Sequence, residues 1–125
     1  MPIDATLPYD DSNIFARILR DEIPSQRVYE DEWAVAFHDI AAQAATHILV
    51  IPRGAYVSWD DFSARASAQE IAGFVRAVGH VAREQGLVAS GYRLLANTGR
   101  HSGQEVPHLH VHLFGGQPLG PMLAR

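Results

Sequence analysis

The sequence predicts an α+β fold, with a mainly antiparallel sheet of about five strands, one long helix and one short helix. One long segment has the apolar spacing of an amphipathic helix, about five short segments read as strands, and the connections are too short for repeated parallel crossovers. The length of 125 residues and the 47% hydrophobic content are typical of one globular domain. We predict a single domain at residues 12–125 after a flexible N-terminal lead-in at residues 1–11, which is rich in proline and aspartate.

The short helix follows the lead-in. Ser12 or Asn13 can cap it, and Pro24 ends the element because proline lacks the N–H that a helix interior needs. The apolar residues at helical spacing are Ile14, Phe15, Ile18 and Leu19. On pattern alone, this stripe predicts a helix face that packs into the core.

Three strands are predicted next. Residues 28–29 and 33–37 read as the two strands of a hairpin, with the turn at residues 31–32. Residues 47–51 are a nearly continuous apolar run, which is typical of a strand buried on both faces, and Pro52 stops it.

The second half of the chain predicts the long helix and a further strand. Residues 59–66 read as a polar connection. A capping box at residues 67–70 starts the long helix, apolar residues follow at i, i+3 and i+4 spacing, and Gly86 ends it. Residues 91–96 read as a strand, and residues 97–104 as a polar loop rich in turn-forming residues.

Residues 107–114 (PHLHVHLF) are the last predicted strand and the main functional signal. Successive side chains of a strand point to opposite faces, so His108, His110 and His112 would share one face. The opposite face would carry the apolar residues Leu109, Val111 and Leu113. In a helix the same spacing would rotate successive imidazoles by about 200°, and no common site would form.

Composition limits the partners. The net charge of −4 gives no surface for a nucleic acid polymer, although backbone amides can still hold a small phosphorylated ligand. The chain has no cysteine, which excludes thiol chemistry and fits a reducing compartment. No apolar run approaches the length of a membrane span, and the N-terminus does not read as a signal peptide. We therefore expect a cytoplasmic protein without a nucleic acid or membrane partner.

Two chemistries use several imidazoles on one strand face. Two histidines at this spacing can bind Zn²⁺, with Asp39 or Glu105 available to orient the rings. A neutral imidazole is also a nucleophile toward phosphorus, and neighbouring imidazoles can donate hydrogen bonds to the phosphoryl oxygens. The loop at residues 97–104 predicts an anion-binding site made of backbone amides. The Asp39 carboxylate can accept hydrogen bonds from both hydroxyls of a ribose. Residue types favour nucleotide phosphate chemistry and leave open a metal site and a purely structural or binding role.

The chain resembles the histidine-triad (HIT) superfamily, in its purine nucleoside phosphoramidase branch of bacterial type. Residues 108–114 match the signature of three histidines separated by single apolar residues. Further matching segments follow the same order along the chain and lie at residues 13–24, 36–40, 46–52, 97, 103–104 and 115–124. The resemblance covers roughly residues 12–124.

The resemblance implies a role for each of four histidines. His110 corresponds to the nucleophile that attacks the α-phosphorus and carries the nucleotidyl group. His112 resembles the histidine that hydrogen-bonds the phosphate, and His108 with His47 resembles the pair that supports it. The implied activity is hydrolysis of the P–N (or P–X) bond of AMP or GMP derivatives, with no cofactor and no metal ligands.

The resemblance also implies a nucleotide pocket and a homodimer whose two sheets join into one. The implied nucleotide-binding residues are Ile14, Phe15, Ile18, Phe37, His38, Asp39, Ile40, Asn97, Gly103, Gln104, Glu105 and Val106. This replaces the interpretation of the short helix as core alone. Hydrolysis of dinucleoside polyphosphates, nucleotidyl transfer and a histidine-ligated metal-binding protein are the alternatives.

Glu105 departs from the eukaryotic members of the family, which have serine at this position. A carboxylate would repel the phosphate of a nucleotide. We therefore expect Glu105 to face a cationic leaving amine instead.

Overall fold

The computed structural model describes residues 1–124, and Arg125, the last residue of the predicted domain, lies outside them. The elements in this part of the chain are α1 (Ile14–Leu19), β1 (Arg27–Glu30), β2 (Ala34–His38), β3 (Thr46–Pro52), α2 (Trp59–Arg65), α3 (Ala68–Glu84), β4 (Tyr92–Leu95) and β5 (Val111–Gly115). The strands form one antiparallel sheet in the order β1-β2-β3-β5-β4. The predicted α+β fold class is therefore confirmed. None of the helices within residues 1–124 has the length and apolar character needed to cross a membrane.

The two faces of the sheet carry separate cores. α3 begins at the predicted capping box and packs its apolar stripe against one face. The core residues of this face are Ala34, Ala36, Ile48, Val50, Phe74, Val78, Val81, Leu109, Val111 and Leu113, with others from α3 and α2. On the opposite face α1 packs Phe15 and Ile18 against alternate residues of β2 and β3. Since Val111 and Leu113 point toward α3, His112 between them points toward the α1 face.

α2 was not predicted. Its residues read as a polar connection because they include Asp60 and Asp61, but these acids stand in the first turn of a helix. The Asp61 carboxylate accepts the backbone N–H groups of Val57 and Ser58 at 2.8 Å each, and the Ser58 hydroxyl caps the same turn. The acids therefore start the helix, since a carboxylate satisfies N–H groups that have no partner within it.

The histidine strand is shorter than predicted. β5 begins at Val111, so His108 and His110 precede it. In this segment the His108 N–H donates to the Val106 carbonyl at 2.9 Å, and the Leu109 N–H donates to the Tyr56 carbonyl at 2.8 Å. Neither bond belongs to the sheet ladder, so backbone bonds outside the sheet and side-chain contacts hold the first two histidines of the motif.

Candidate active site

An open cleft of about 1050 Å³ lies on the α1 face of the sheet. Most of the predicted site residues line it. They are Ile14, Phe15, Ile18, Phe37, His38, Asp39, Ile40, Asn97, Gly103, Glu105, Val106, His110 and His112. The predicted residues that stand behind this wall are His47, His108 and Gln104, each of which is buried. The structure thus brings together residues from five separate stretches of the chain.

The apolar end of the cleft is built by α1. The Asn13 side chain accepts the Ala16 N–H at 2.9 Å and caps this short helix. The Phe15 ring then meets the Phe37 ring edge to face, with centroids 5.6 Å apart, and the His110 ring at 5.0 Å. Phe15 therefore belongs to the core and to the wall of the cleft at once. Sequence reasoning missed seven further lining residues, which are Ile23, Pro24, Ser25, Gln26, Ala41, Gln43 and Leu49.

Asp39 follows β2 at the middle of the cleft. Its N–H donates to the His47 carbonyl at 3.0 Å, and its Oδ1 accepts the Ala41 N–H at 2.8 Å. Its Oδ2 lies 3.3 Å from the His47 Nε2. These contacts hold the carboxylate in one orientation beside the histidine cluster.

The loop at residues 97–106 closes the third side of the cleft. The buried amide of Gln104 holds this loop, since its Nε2 donates to the Val57 carbonyl at 2.7 Å and its Oε1 accepts the Gly99 N–H at 2.9 Å. Gln104 thus supports the loop from behind. The loop residues that face the cleft are Asn97, Gly103, Glu105 and Val106.

The hydrogen positions on His108 and His110 follow from partners that can only accept. The His110 Nδ1 lies 2.7 Å from the His108 carbonyl, so Nδ1 carries the hydrogen and the neutral ring has its lone pair on Nε2. The His108 Nε2 lies 2.9 Å from the Pro52 carbonyl and must donate to it. The lone pair of His108 is then on Nδ1, where it accepts the Tyr9 hydroxyl at 2.6 Å.

The hydrogen positions on His47 and His112 follow from a partner that can only donate. The Gln43 N–H lies 3.1 Å from the His47 Nδ1, so this nitrogen accepts and the His47 Nε2 carries the hydrogen. That Nε2 donates to the His112 Nδ1 at 2.9 Å. The neutral His112 ring is left with its hydrogen on Nε2. The cleft is therefore lined by one imidazole with a free lone pair and a second that can donate, with ring centroids 5.1 Å apart.

Burial keeps all four imidazoles uncharged near neutral pH. Desolvation, together with the neighbouring His110, lowers the pKa of His108 to about 4 and that of His112 to about 4. Burial also lowers the pKa of His110, against the opposing effect of its bond to the His108 carbonyl. Burial lowers the pKa of His47, and the nearby Asp39 charge opposes this. A neutral His110 is the form that can act as a nucleophile.

One cluster in the cleft has the side chains of a metal site. One ligand atom each from Asp39, His47 and His112 lies within 4.8 Å of the others. A cation bound to the His47 Nε2 would force the ring hydrogen onto Nδ1, where it would face the Gln43 N–H. Two donors would then oppose each other, so the hydrogen-bond pattern disfavours a metal ion here. The absence of metal ligands stays a prediction.

Two supporting residues were not found from the sequence. Gln43 acts through its backbone N–H, which no side-chain pattern reveals. Tyr9 lies in the lead-in, far from the histidines in sequence, and no spacing connects it to them. Both contacts depend on the tertiary fold.

Together the fold and the site define a class of protein: a small α+β protein that presents uncharged imidazoles to an open, ligand-sized cleft. The chain belongs to the HIT family, whose domain matches residues 20–119. It is 62% identical over 117 residues to a 13.2 kDa HIT-like protein of Azospirillum brasilense, covering 94% of this chain and 96% of that one. It is 47% identical over 114 residues to the purine nucleoside phosphoramidase of Escherichia coli K12, covering 91% of this chain and 95% of that enzyme.

A solved structure agrees with these sequence matches. The HIT family hydrolase from Clostridium thermocellum has a TM-score of 0.83 and 36% identity, over 92% of this chain and 99% of that one. The predicted membership and the prediction of a HIT-family hydrolase are therefore confirmed.

Proposed function

We propose that this protein hydrolyses the P–N bond of purine nucleoside 5′-phosphoramidates, derivatives of AMP or GMP, through a covalent nucleotidyl intermediate on His110. One observation carries the proposal. The His110 Nε2 has its lone pair free at the cleft, next to a His112 Nε2 that carries a hydrogen. A nucleophile beside a hydrogen-bond donor is the arrangement that transfer of a phosphorus group requires. The likeness to the Escherichia coli phosphoramidase supports the choice of P–N substrates.

Substrate binding follows the chemistry of the cleft wall. The purine lies against the apolar end, which Phe15, Ile18 and Phe37 build, and the Asp39 carboxylate accepts the ribose hydroxyls. This arrangement brings the α-phosphorus to the histidine end of the cleft. The loop residues Asn97 and Gly103 then lie beside the phosphate.

The reaction has two steps. The His110 Nε2 attacks phosphorus, an Nε2–P bond forms and the P–N bond breaks, and the leaving nitrogen takes a proton from solvent and departs as the amine. The His112 Nε2–H donates to a phosphoryl oxygen and stabilises the added negative charge. Water then attacks phosphorus, an O–P bond forms, the Nε2–P bond breaks and one water proton goes to solvent, which releases AMP or GMP and restores the neutral imidazole. The covalent route replaces one difficult displacement by two easier ones.

We also propose a homodimer through β4. This strand is at one edge of the sheet, and its exposed residues Tyr92 and Leu94 are apolar or aromatic. Beside them a groove of about 620 Å³ runs along α3, where Val75 is 54% exposed. An open apolar edge favours pairing with a second strand, and a second copy of β4 would extend the sheet.

Sedimentation tests the dimer. Leu94→Glu should yield monomers at concentrations where the wild type sediments as a dimer, because a buried unpaired charge opposes pairing. The control Leu7→Glu changes an exposed leucine outside the groove and should stay dimeric. A wild type that sediments as a monomer would contradict the proposal. We also propose that the protein acts in the cytoplasm, because a chain without cysteine fits a reducing compartment.

Mass spectrometry and kinetics test the function. Protein mixed with an adenosine 5′-phosphoramidate should gain the mass of one AMP, located on His110, and should release AMP with repeated turnover. Turnover should be faster than that of a dinucleoside polyphosphate and unaffected by a chelator. Faster polyphosphate cleavage would favour the alternative branch, and loss of activity with the chelator would favour a metalloenzyme. Binding of AMP without turnover of any phosphoramidate would reject catalysis.

A further inference from the structure

The lead-in reaches the histidine cluster through Tyr9. The Tyr9 hydroxyl lies 2.6 Å from the His108 Nδ1, across a separation of 99 residues. The two rings also meet edge to face, with centroids 5.6 Å apart. The Ile3 N–H donates to the Gln104 carbonyl at 2.7 Å, which fastens the same segment to the loop beside the cleft. Residues near the N-terminus thus contact two parts of the proposed catalytic machinery.

His108 precedes β5 and its own N–H does not join the sheet ladder, so the bonds of its ring add to the backbone bonds from His108 to Val106 and from Leu109 to Tyr56 that hold this segment. Its ring is fully buried and is held at both nitrogens. The Nε2–H donates to the Pro52 carbonyl, and Nδ1 accepts from Tyr9. Removing either bond would leave a buried polar atom without a partner.

The backbone of His108 in turn fixes the nucleophile. Its carbonyl accepts the His110 Nδ1–H at 2.7 Å, and this bond keeps the lone pair on the Nε2 that faces the cleft. If the His108 carbonyl turned away, the His110 hydrogen could move to Nε2 and the ring would lose its nucleophilic atom. The bonds that hold the His108 ring therefore also hold the reactive form of His110.

We propose that Tyr9 is a positioning residue for His110. Its hydroxyl donates to the His108 Nδ1 and anchors the irregular segment before β5. It thereby keeps the His108 carbonyl in its hydrogen bond with the His110 Nδ1–H. The lead-in is then a functional part of the active site rather than a free tail. The effect on kcat rests on the proposed phosphoramidase function, whereas the effect on the His110 ring does not.

The matched pair Tyr9→Phe and Tyr29→Phe tests this role. Each variant removes one phenol hydroxyl and keeps the ring, and Tyr29 donates to Asp31 at 2.8 Å away from the cleft. Tyr9→Phe should lower kcat about tenfold, within the 10–100-fold range found for partners that orient metal-bound imidazoles. AMP affinity should stay within about twofold, since Tyr9 does not line the cleft. Tyr29→Phe should leave kcat and AMP affinity unchanged.

Nitrogen-15 NMR of the histidine rings supplies a measurement that does not depend on turnover. Wild type and Tyr29→Phe should show His110 with its hydrogen only on Nδ1, and Tyr9→Phe should show a mixture of the two tautomers. An unchanged His110 spectrum in Tyr9→Phe would overturn the proposal, as would a kcat equal to that of Tyr29→Phe in an active enzyme. If the wild type cleaves no phosphoramidate, the proposed function fails while the NMR comparison still decides the role of Tyr9.

Discussion

The bond from His47 to His112 gives a quantitative test of the hydrogen positions. His47→Leu removes the Nε2–H that donates to the His112 Nδ1 at 2.9 Å and leaves an apolar side chain in its place. His47→Gln is the matched variant, because its side-chain amide can present an N–H near the position of the lost nitrogen. The two variants differ mainly in whether His112 keeps its donor.

The size of the effect follows from the buried acceptor. Without a donor, the His112 Nδ1 is unsatisfied, which costs about 1–3 kcal/mol. The ring avoids this cost by moving its hydrogen to Nδ1 or by turning, and both changes withdraw the Nε2–H from the phosphate. A difference of 1–3 kcal/mol corresponds to a factor of about 5–150 in rate, and loss of one full oxyanion donor costs about 10²–10³. We expect kcat to fall about 10–100-fold in His47→Leu and less than about fivefold in His47→Gln.

Steady-state hydrolysis of an adenosine phosphoramidate and calorimetric titration with AMP measure the two effects separately. AMP affinity should change less than about tenfold in both variants, because one net hydrogen bond contributes about 0.5–1.5 kcal/mol. Circular dichroism confirms that each variant is folded. Equal kcat values for the two variants would refute the reasoning, as would a loss of AMP affinity that matches the loss of kcat.

Three further predictions concern the nucleophile, the leaving group and pH. His110→Ala should lower the rate of single turnover at least ~10⁴-fold, because free water lacks the advantage of a positioned nucleophile. AMP binding by this variant should stay near wild type, as should the activity of the surface control His80→Ala. Turnover by His110→Ala above that level would contradict the prediction. None of the described residues lining the cleft is lysine or arginine, so Glu105→Gln should lower kcat/KM for a cationic leaving amine about two- to fivefold relative to that for a neutral amine at low salt. The relief of repulsion on the phosphate is common to both substrates, so equal effects on both amines would count against a charge contact. Burial lowers the pKa of His108 to about 4, below the unfolded value of about 6.5. The free energy of unfolding that this shift contributes is fully present above pH 6.5 and is lost as pH falls toward 4. Denaturant titrations should show a loss of up to ~3 kcal/mol from His108. The pKa of His110 is also lowered by burial, so the acid limb of kcat/KM should lie below pH 6.5, and a limb above that value would contradict the lowered pKa of this group.

The parts of the fold that the sequence predicts are those with a local signal. The capping box that starts α3, the asparagine cap of α1 and the buried run of β3 each depend on neighbouring residues, and the structure has all three. α2 was missed because Asp60 and Asp61 satisfy helix N–H groups, a role that composition cannot separate from that of loop acids. The start of β5 was misjudged because side-chain alternation continues through residues 108–110 although the ladder does not.

Most members of the cleft were predictable from the motif and the resemblance, but the chemical state of each ring was not. In the motif the three histidines look equivalent, since single apolar residues separate them. In the fold, the His110 Nδ1–H donates to the His108 carbonyl, whereas the His112 Nδ1 accepts the His47 Nε2–H. The His47 hydrogen is on Nε2 because the Gln43 N–H donates to the His47 Nδ1. One ring therefore offers a lone pair to the cleft and the next offers a hydrogen.

This difference between equivalent residues arises from backbone groups that can only donate or only accept. The carbonyls of Pro52 and His108 and the N–H of Gln43 lie in three separate segments, and each fixes one hydrogen position. A variant that keeps all four histidines but displaces one of these backbone groups should bind AMP and lose turnover, because the cleft would survive while the lone pair and the hydrogen exchange places. Activity in this site is thus a property of the backbone around the motif as much as of the motif itself.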